Sequence, residues 1–94
     1  MRKIEQEMNE AIANGNNWQK DNTAVIFTRH HDELQGAVYL HNNMIAHITP
    51  GKTIVPVEET FRQYPTRTTV SRLRALGVDA RNNNSRPMIN GQFI

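Results

Sequence analysis

Between residues 22 and 57 the chain passes through three runs rich in β-branched and aromatic residues, "NTAVIFTR", "GAVYLHNNMIAHI" and "KTIVPV", with short turn-forming stretches between them. Such side chains fill a pleated, half-buried surface, so these runs are expected as strands. The middle run is long enough for two strands around a tight turn. Asn42-Asn43 is placed in that turn, because asparagine enters the left-handed backbone region more readily than most residues. Pro56 has no backbone N–H to donate and sets the last of these strands at an edge or a strand end. A chain committed to this much strand must cover the sheet with something, and the flanking segments supply it.

Ile4, Met8 and Ile12 recur at i, i+4 and i+8, with Ala11 widening the stripe, which predicts an amphipathic helix over residues 1–14 closed by Asn14-Gly15. Glu5, Glu7 and Glu10 are assigned to its solvated face. Val70, Leu73 and Leu76 mark a second helix near residues 68–76, capped by Thr66, Thr68 or Thr69 and closed by Gly77. Between the last strand run and that helix, "ETFRQYPT" suits either strand or helix. Residues 78–94 are expected as a last strand pair or an ordered tail, with Asn90-Gly91 as a turn. The expectation is one α+β domain over residues 1–94: a small antiparallel β-sheet with an N-terminal helix and a second helix near 68–76 on one face. A core of this size is modest, and open strand edges invite pairing with another copy, so a homo-oligomer is expected.

Several chemistries are excluded by what the chain lacks. There is no cysteine, hence no disulfide, no thiolate metal site and no cysteine nucleophile. His30 and His31, adjacent on a strand, would point to opposite faces, and His41 and His47 flank a turn, so no metal site is expected. Ser71 and Ser85 lie outside any nucleophile-elbow context, and there is no glycine-rich phosphate loop; the chain is read as neither an enzyme nor a cofactor protein. No apolar run of about 18 residues exists for a membrane span, and the acidic N-terminus is unlike a signal peptide, so a cytoplasmic protein is expected.

Charge is unevenly spread. Residues 1–33 carry a net −2 and residues 34–94 a net +4. The basic excess is almost all arginine: Arg62, Arg67, Arg72, Arg74, Arg81 and Arg86. A guanidinium presents a planar fork matched to phosphate oxygens, where lysine acts as a point charge. In "TRTTVSRLRALG", residues 66–77, threonine hydroxyls, free helix-terminal amides and arginines gather within one turn, a seat suited to a phosphate. The same segment fits a capped helix that merely packs on the sheet. It also fits the reading helix of a helix-turn-helix, but that motif needs a helix just before it, and Pro56 and Pro65 argue for extended chain there.

Taken together, "NWQKDNTAVIFTR", "VYLHNNMIAHI", "YPTRTTVSRLRALGV" and "MINGQFI" resemble the pattern of the phage anti-Thoeris family of signal sponges, the first type of Thoeris anti-defence protein. The resemblance covers most of the chain. It implies a non-enzymatic protein that sequesters a cyclic ADP-ribose isomer, with cyclic oligonucleotides held by some members, and that assembles from dimers into hexamers. On the matching positions it implies Asn43, Thr69 and Arg72 as ligand-binding residues. Charge and helical placement add Arg67 and Arg74, and Tyr64, Phe61 or Trp18 is expected to stack on a base. Asn42 stands where the pattern has glycine, and Arg74 where it has asparagine.

Overall fold

The structure, a computed structural model, describes residues 1–94. Helix α1 (Lys3–Asn14) leads into a five-stranded antiparallel meander of β1 (Trp18–Lys20), β2 (Thr23–His30), β3 (Glu33–Leu40), β4 (Asn43–Ile48) and β5 (Ile54–Pro56). Two helices follow, α2 (Glu58–Gln63) and α3 (Arg67–Ala75), and then a second, three-stranded meander of β6 (Ala80–Asn83), β7 (Arg86–Ile89) and β8 (Gln92–Phe93). The architecture is α+β, as the strand runs and helical stripes imply.

Tight turns make the meanders possible. In each of His31-Asp32, His41-Asn42, Asn84-Ser85 and Asn90-Gly91, both residues adopt positive φ. Two successive left-handed residues match the twist of the flanking strands. The Asn90-Gly91 turn therefore lies where expected, and a strand pair becomes three strands because Asn84-Ser85 adds another hairpin. The β3–β4 turn sits one residue earlier than expected, on His41-Asn42, with Asn43 opening β4. His31 likewise belongs to a turn, not to a strand. Its ring lies edge-on to that of His30, with centroids 4.3 Å apart.

The turn shift is absorbed inside the sheet. Leu40 pairs with Asn43 and Tyr39 with Met44, but Val38 pairs with Ala46, so Ile45 is the extra residue of a β-bulge. Without the bulge, Ala37 rather than Val38 would stand opposite Ala46, and His47 would turn inward. With it, Val25, Val38, Ala46 and Ile48 share the face that meets Met8 and Ile12 of α1, Phe61 of α2 and Leu73 of α3 in one buried cluster. Gly36 stands opposite Phe27 on the same face, where a side chain would collide with the phenyl ring.

The prolines do not keep residues 58–63 extended. Pro56 ends β5 and Pro65 follows α2, so six residues between them are free to wind, and Phe61 is thereby driven into the core. Gly15 (φ 66°) closes α1 in the left-handed conformation, with Lys52 Nζ donating to the Ala13 carbonyl at 2.6 Å.

Candidate functional site

Helix α3 organises every candidate residue, and it does so with three faces. Thr66 is its N-cap: the Thr66 Oγ1 accepts from the Thr69 backbone N–H at 3.1 Å and shares a 3.0 Å hydrogen bond with the Thr69 hydroxyl. Beyond that cap the helix turns one face into the protein, one toward the β3–β4 hairpin and one toward β6.

The inward face holds Arg72, only 3% exposed. Its Nη1 donates to Glu5 Oε2 at 2.8 Å, its Nε to Thr23 Oγ1 at 3.0 Å and its Nη2 to Asn22 Oδ1 at 3.4 Å. Ser71 Oγ donates to the same Glu5 oxygen at 2.5 Å, and Glu5 Oε1 accepts the Arg2 backbone N–H at 3.3 Å. Burial alone would push the Glu5 carboxyl up, but the bonds from Ser71, Arg72 and Arg2 outweigh it and hold the group below its ordinary value of 4.5. Glu5 is thus not on the solvated face of α1. It points inward because Glu5, Met8 and Ile12, not Ile4, lie on the stripe that α1 buries. Arg72 ties α1, the start of β2 and α3 together, and each of its three nitrogens donates to a partner inside the protein.

The second face bounds a cavity of about 320 Å³. Thr66, Thr68 and Thr69 form one side, Leu40, His41, Asn43 and Ile45 of the hairpin another, and Thr60 and Tyr64 of the α2 end the third. Among the expected residues, Asn43, Tyr64 and Thr69 meet here. Asn43 Nδ2 donates to the His41 carbonyl at 3.2 Å, which fixes its amide at the cavity mouth. Tyr64 is half exposed at the rim, whereas Phe61 is a core residue at 1% exposure and has no free ring face to offer. Trp18 lines a separate hollow beside Glu7 and Glu10. Of the three aromatic candidates, only Tyr64 borders the cavity. Thr66 and Thr68, read from the sequence as part of the threonine-rich start of this helix, also line the cavity, whereas His41 and Thr60 are additions that the structure makes; the turn register points to His41, and nothing local to Thr60 marks it.

Arg67 and Arg74 lie on the third face, on the opposite side of α3 from the cavity, in an open groove that also contains Arg81. Both are exposed, and neither forms an ion pair. The six expected residues therefore divide three, two and one among cavity, groove and interior, and the structure does not bring them into a single pocket.

Compared with known families, the chain matches the Kyanoviridae Gp96 protein family, a phage protein family, over residues 1–92, and it belongs to that family. No curated protein and no solved structure gives a significant match. No helix is long and apolar enough to cross a membrane.

Proposed function

We propose that this member of the Kyanoviridae Gp96 family is an anti-defence protein that captures a cyclic nucleotide signal inside the infected cell and releases it unchanged on unfolding. The carrying observation is the cavity where the first turn of α3, the β3–β4 hairpin and the end of α2 meet, because it unites Asn43, Tyr64 and Thr69 from three separate parts of the sequence. Its wall is mixed and holds no arginine, lysine or carboxylate: Leu40, Ile45 and the Tyr64 ring give it an apolar surface, and threonine hydroxyls, an amide and an imidazole supply donors and acceptors. That is a surface for a nucleoside, with Tyr64 placed to stack on the base and the positive end of α3 facing the attached phosphates. About 320 Å³ lies at the small end of ligand pockets. It encloses part of a cyclic ADP-ribose isomer and leaves the remainder to a second subunit, in keeping with the oligomer that the family resemblance implies.

Calorimetric titration with cyclic ADP-ribose isomers tests this directly. Asn43→Ala and Tyr64→Ala should each weaken capture by roughly tenfold or more, as expected if they are among the few residues that carry most of the binding energy. The ligand recovered after heat denaturation should have an unchanged mass; a converted product refutes the sponge mechanism.

The duplex-binding alternative gains one feature, since α2 does precede α3 with only Tyr64 to Thr66 between them. Weighing against it, the exposed arginines of α3 are flanked by residues of α1 and β6 instead of standing on a freely projecting helix face. A gel shift at low salt separates the two readings, because duplex binding falls steeply as salt rises.

A further inference from the structure

The groove on the far side of α3 is a separate feature with its own charge pattern. Arg67, Val70, Ser71, Arg74 and Ala75 recur at i, i+3, i+4, i+7 and i+8, and together they floor an open depression of about 680 Å³. Seven residues at the helical rise put Arg67 and Arg74 about 10 Å apart along the axis, on one stripe. Arg81, on β6, stands on the facing wall beside Asn82. Three guanidiniums thus border a single concavity.

Their neutralisation is incomplete. Arg67 and Arg74 have no acidic partner, and Arg81 shares Asp79 at 3.2 Å in an exposed pair. Glu5 lies at the groove's base, yet Arg72 at 2.8 Å already balances it. Counting Arg67, Arg72, Arg74 and Arg81 against Glu5 and Asp79 leaves the site with a formal +2. Like charges converging on one hollow repel each other, and that repulsion is relieved by an anion seated among them. Guanidinium forks suit the oxygens of phosphoryl groups, to which they bond in pairs.

We infer that the Arg67–Arg74–Arg81 groove is a second ligand site, separate from the threonine-lined cavity, for a group bearing two negative charges on phosphoryl oxygens, whether a phosphomonoester or a diphosphate bridge. The site does not depend on the capture reading: its ligand is held by guanidinium charge in an open groove, whereas the cavity has no arginine in its wall.

The probe is inorganic pyrophosphate, titrated into the full chain by calorimetry at low ionic strength, with thermal shift in parallel. Pyrophosphate should bind and raise the melting temperature, while sodium chloride at matched ionic strength should not. Arg74→Gln and Arg81→Gln, both at exposed positions, should each weaken binding roughly 10- to 100-fold, as expected for loss of a charge-assisted hydrogen bond. Asn43→Ala should leave pyrophosphate affinity unchanged while weakening the cyclic nucleotide. Four results overturn the inference: no binding by the unaltered protein at millimolar pyrophosphate, an equal response to chloride, unchanged affinity in both arginine variants, or equal loss in Asn43→Ala. Failure of the cyclic nucleotide to bind, with pyrophosphate binding intact, sinks the capture reading alone. Adding AMP and ADP-ribose to the titration distinguishes a monoester from a diphosphate bridge.

Discussion

Arg72→Met replaces a buried guanidinium with an apolar side chain of similar length, and its consequences follow from the bonds it removes. Glu5 loses its 2.8 Å partner, and Thr23 and Asn22 lose donors at 3.0 and 3.4 Å. What remains is a carboxylate, 3% exposed, held only by Ser71 and the Arg2 backbone N–H. Breaking one side of a buried ion pair costs about 3–5 kcal/mol. A domain of this length holds about 5–14 kcal/mol in all. The variant should therefore lose roughly a fifth or more of its stability, and its melting temperature should fall by at least about 12 °C. Arg74→Met makes the same chemical change at an exposed, unpaired position and should stay within about 0.5 kcal/mol of the parent.

Urea unfolding of the three proteins at pH 7 measures the difference, and repeating it at pH 5 tests its cause. In the parent, the Glu5 carboxyl is depressed, so its contribution is fully present above the ordinary value of 4.5 and fades only as pH falls through the lower folded value. The parent is then nearly flat, with respect to this group, between pH 7 and 5. In Arg72→Met one of the opposing bonds is gone while burial persists, so the carboxyl moves upward and takes a proton more easily on acidification. The stability gap should narrow from pH 7 to pH 5. A gap under about 1 kcal/mol at pH 7, or one that stays constant with pH, refutes the buried-charge explanation.

Three smaller perturbations probe the frame around the site. Gly36→Ala would bring a Cβ to 2.8 Å from Phe27 Cε1 and 3.1 Å from Ile48 Cδ1, so urea unfolding should show about 1–3 kcal/mol of destabilisation; a neutral result means the ring has room to move. Thr66→Ala removes the α3 cap and the partner of the buried Thr69 hydroxyl, for a loss of about 0.5–2 kcal/mol in the same measurement. Asn42→Gly places glycine at φ 66°, a position that favours it, and should change stability by less than about 1 kcal/mol; a large loss would show that the turn is not on His41-Asn42.

The sequence carried the strand runs and both long helices plainly, because β-branched clustering and helical spacing are local properties. Registers were harder. In "LHNNM" three successive residues tolerate positive φ, and the choice of His41-Asn42 depends on the bulge at Ile45, which exists to keep Ala46 and Ile48 in the core and His47 out of it. The inward placement of Glu5 is hidden from the sequence for a similar reason. Its own helix offered two nearly equivalent stripes, and what selects the one containing Glu5 is Arg72, 67 residues away. A hint was present in each helix, since Glu5 and Arg72 both border an apolar stripe and carry opposite charge. Arg67 and Arg74 share a face by simple seven-residue spacing, yet their groove needs Arg81, which only the return of β6 alongside α3 brings near.

This division of labour on α3 determines how binding losses should be read. Arg72 pins the helix against α1 and β2, and that placement is what presents Thr66, Thr68 and Thr69 to the hairpin. If the cavity captures a ligand as proposed, a variant at Arg72 should lose it even though the guanidinium lies 3% exposed and lines neither hollow, because the cavity wall moves with the helix. Contact and support separate when stability is measured with affinity. Asn43→Ala and Tyr64→Ala should lower affinity at nearly constant unfolding free energy, whereas Arg72→Met should lower both, with part of its binding recovered at pH 5 as the stability gap closes. If Arg72→Met retains stability and loses only the ligand, then Arg72 leaves its partners to reach the bound molecule, and the interior role assigned to it here is wrong.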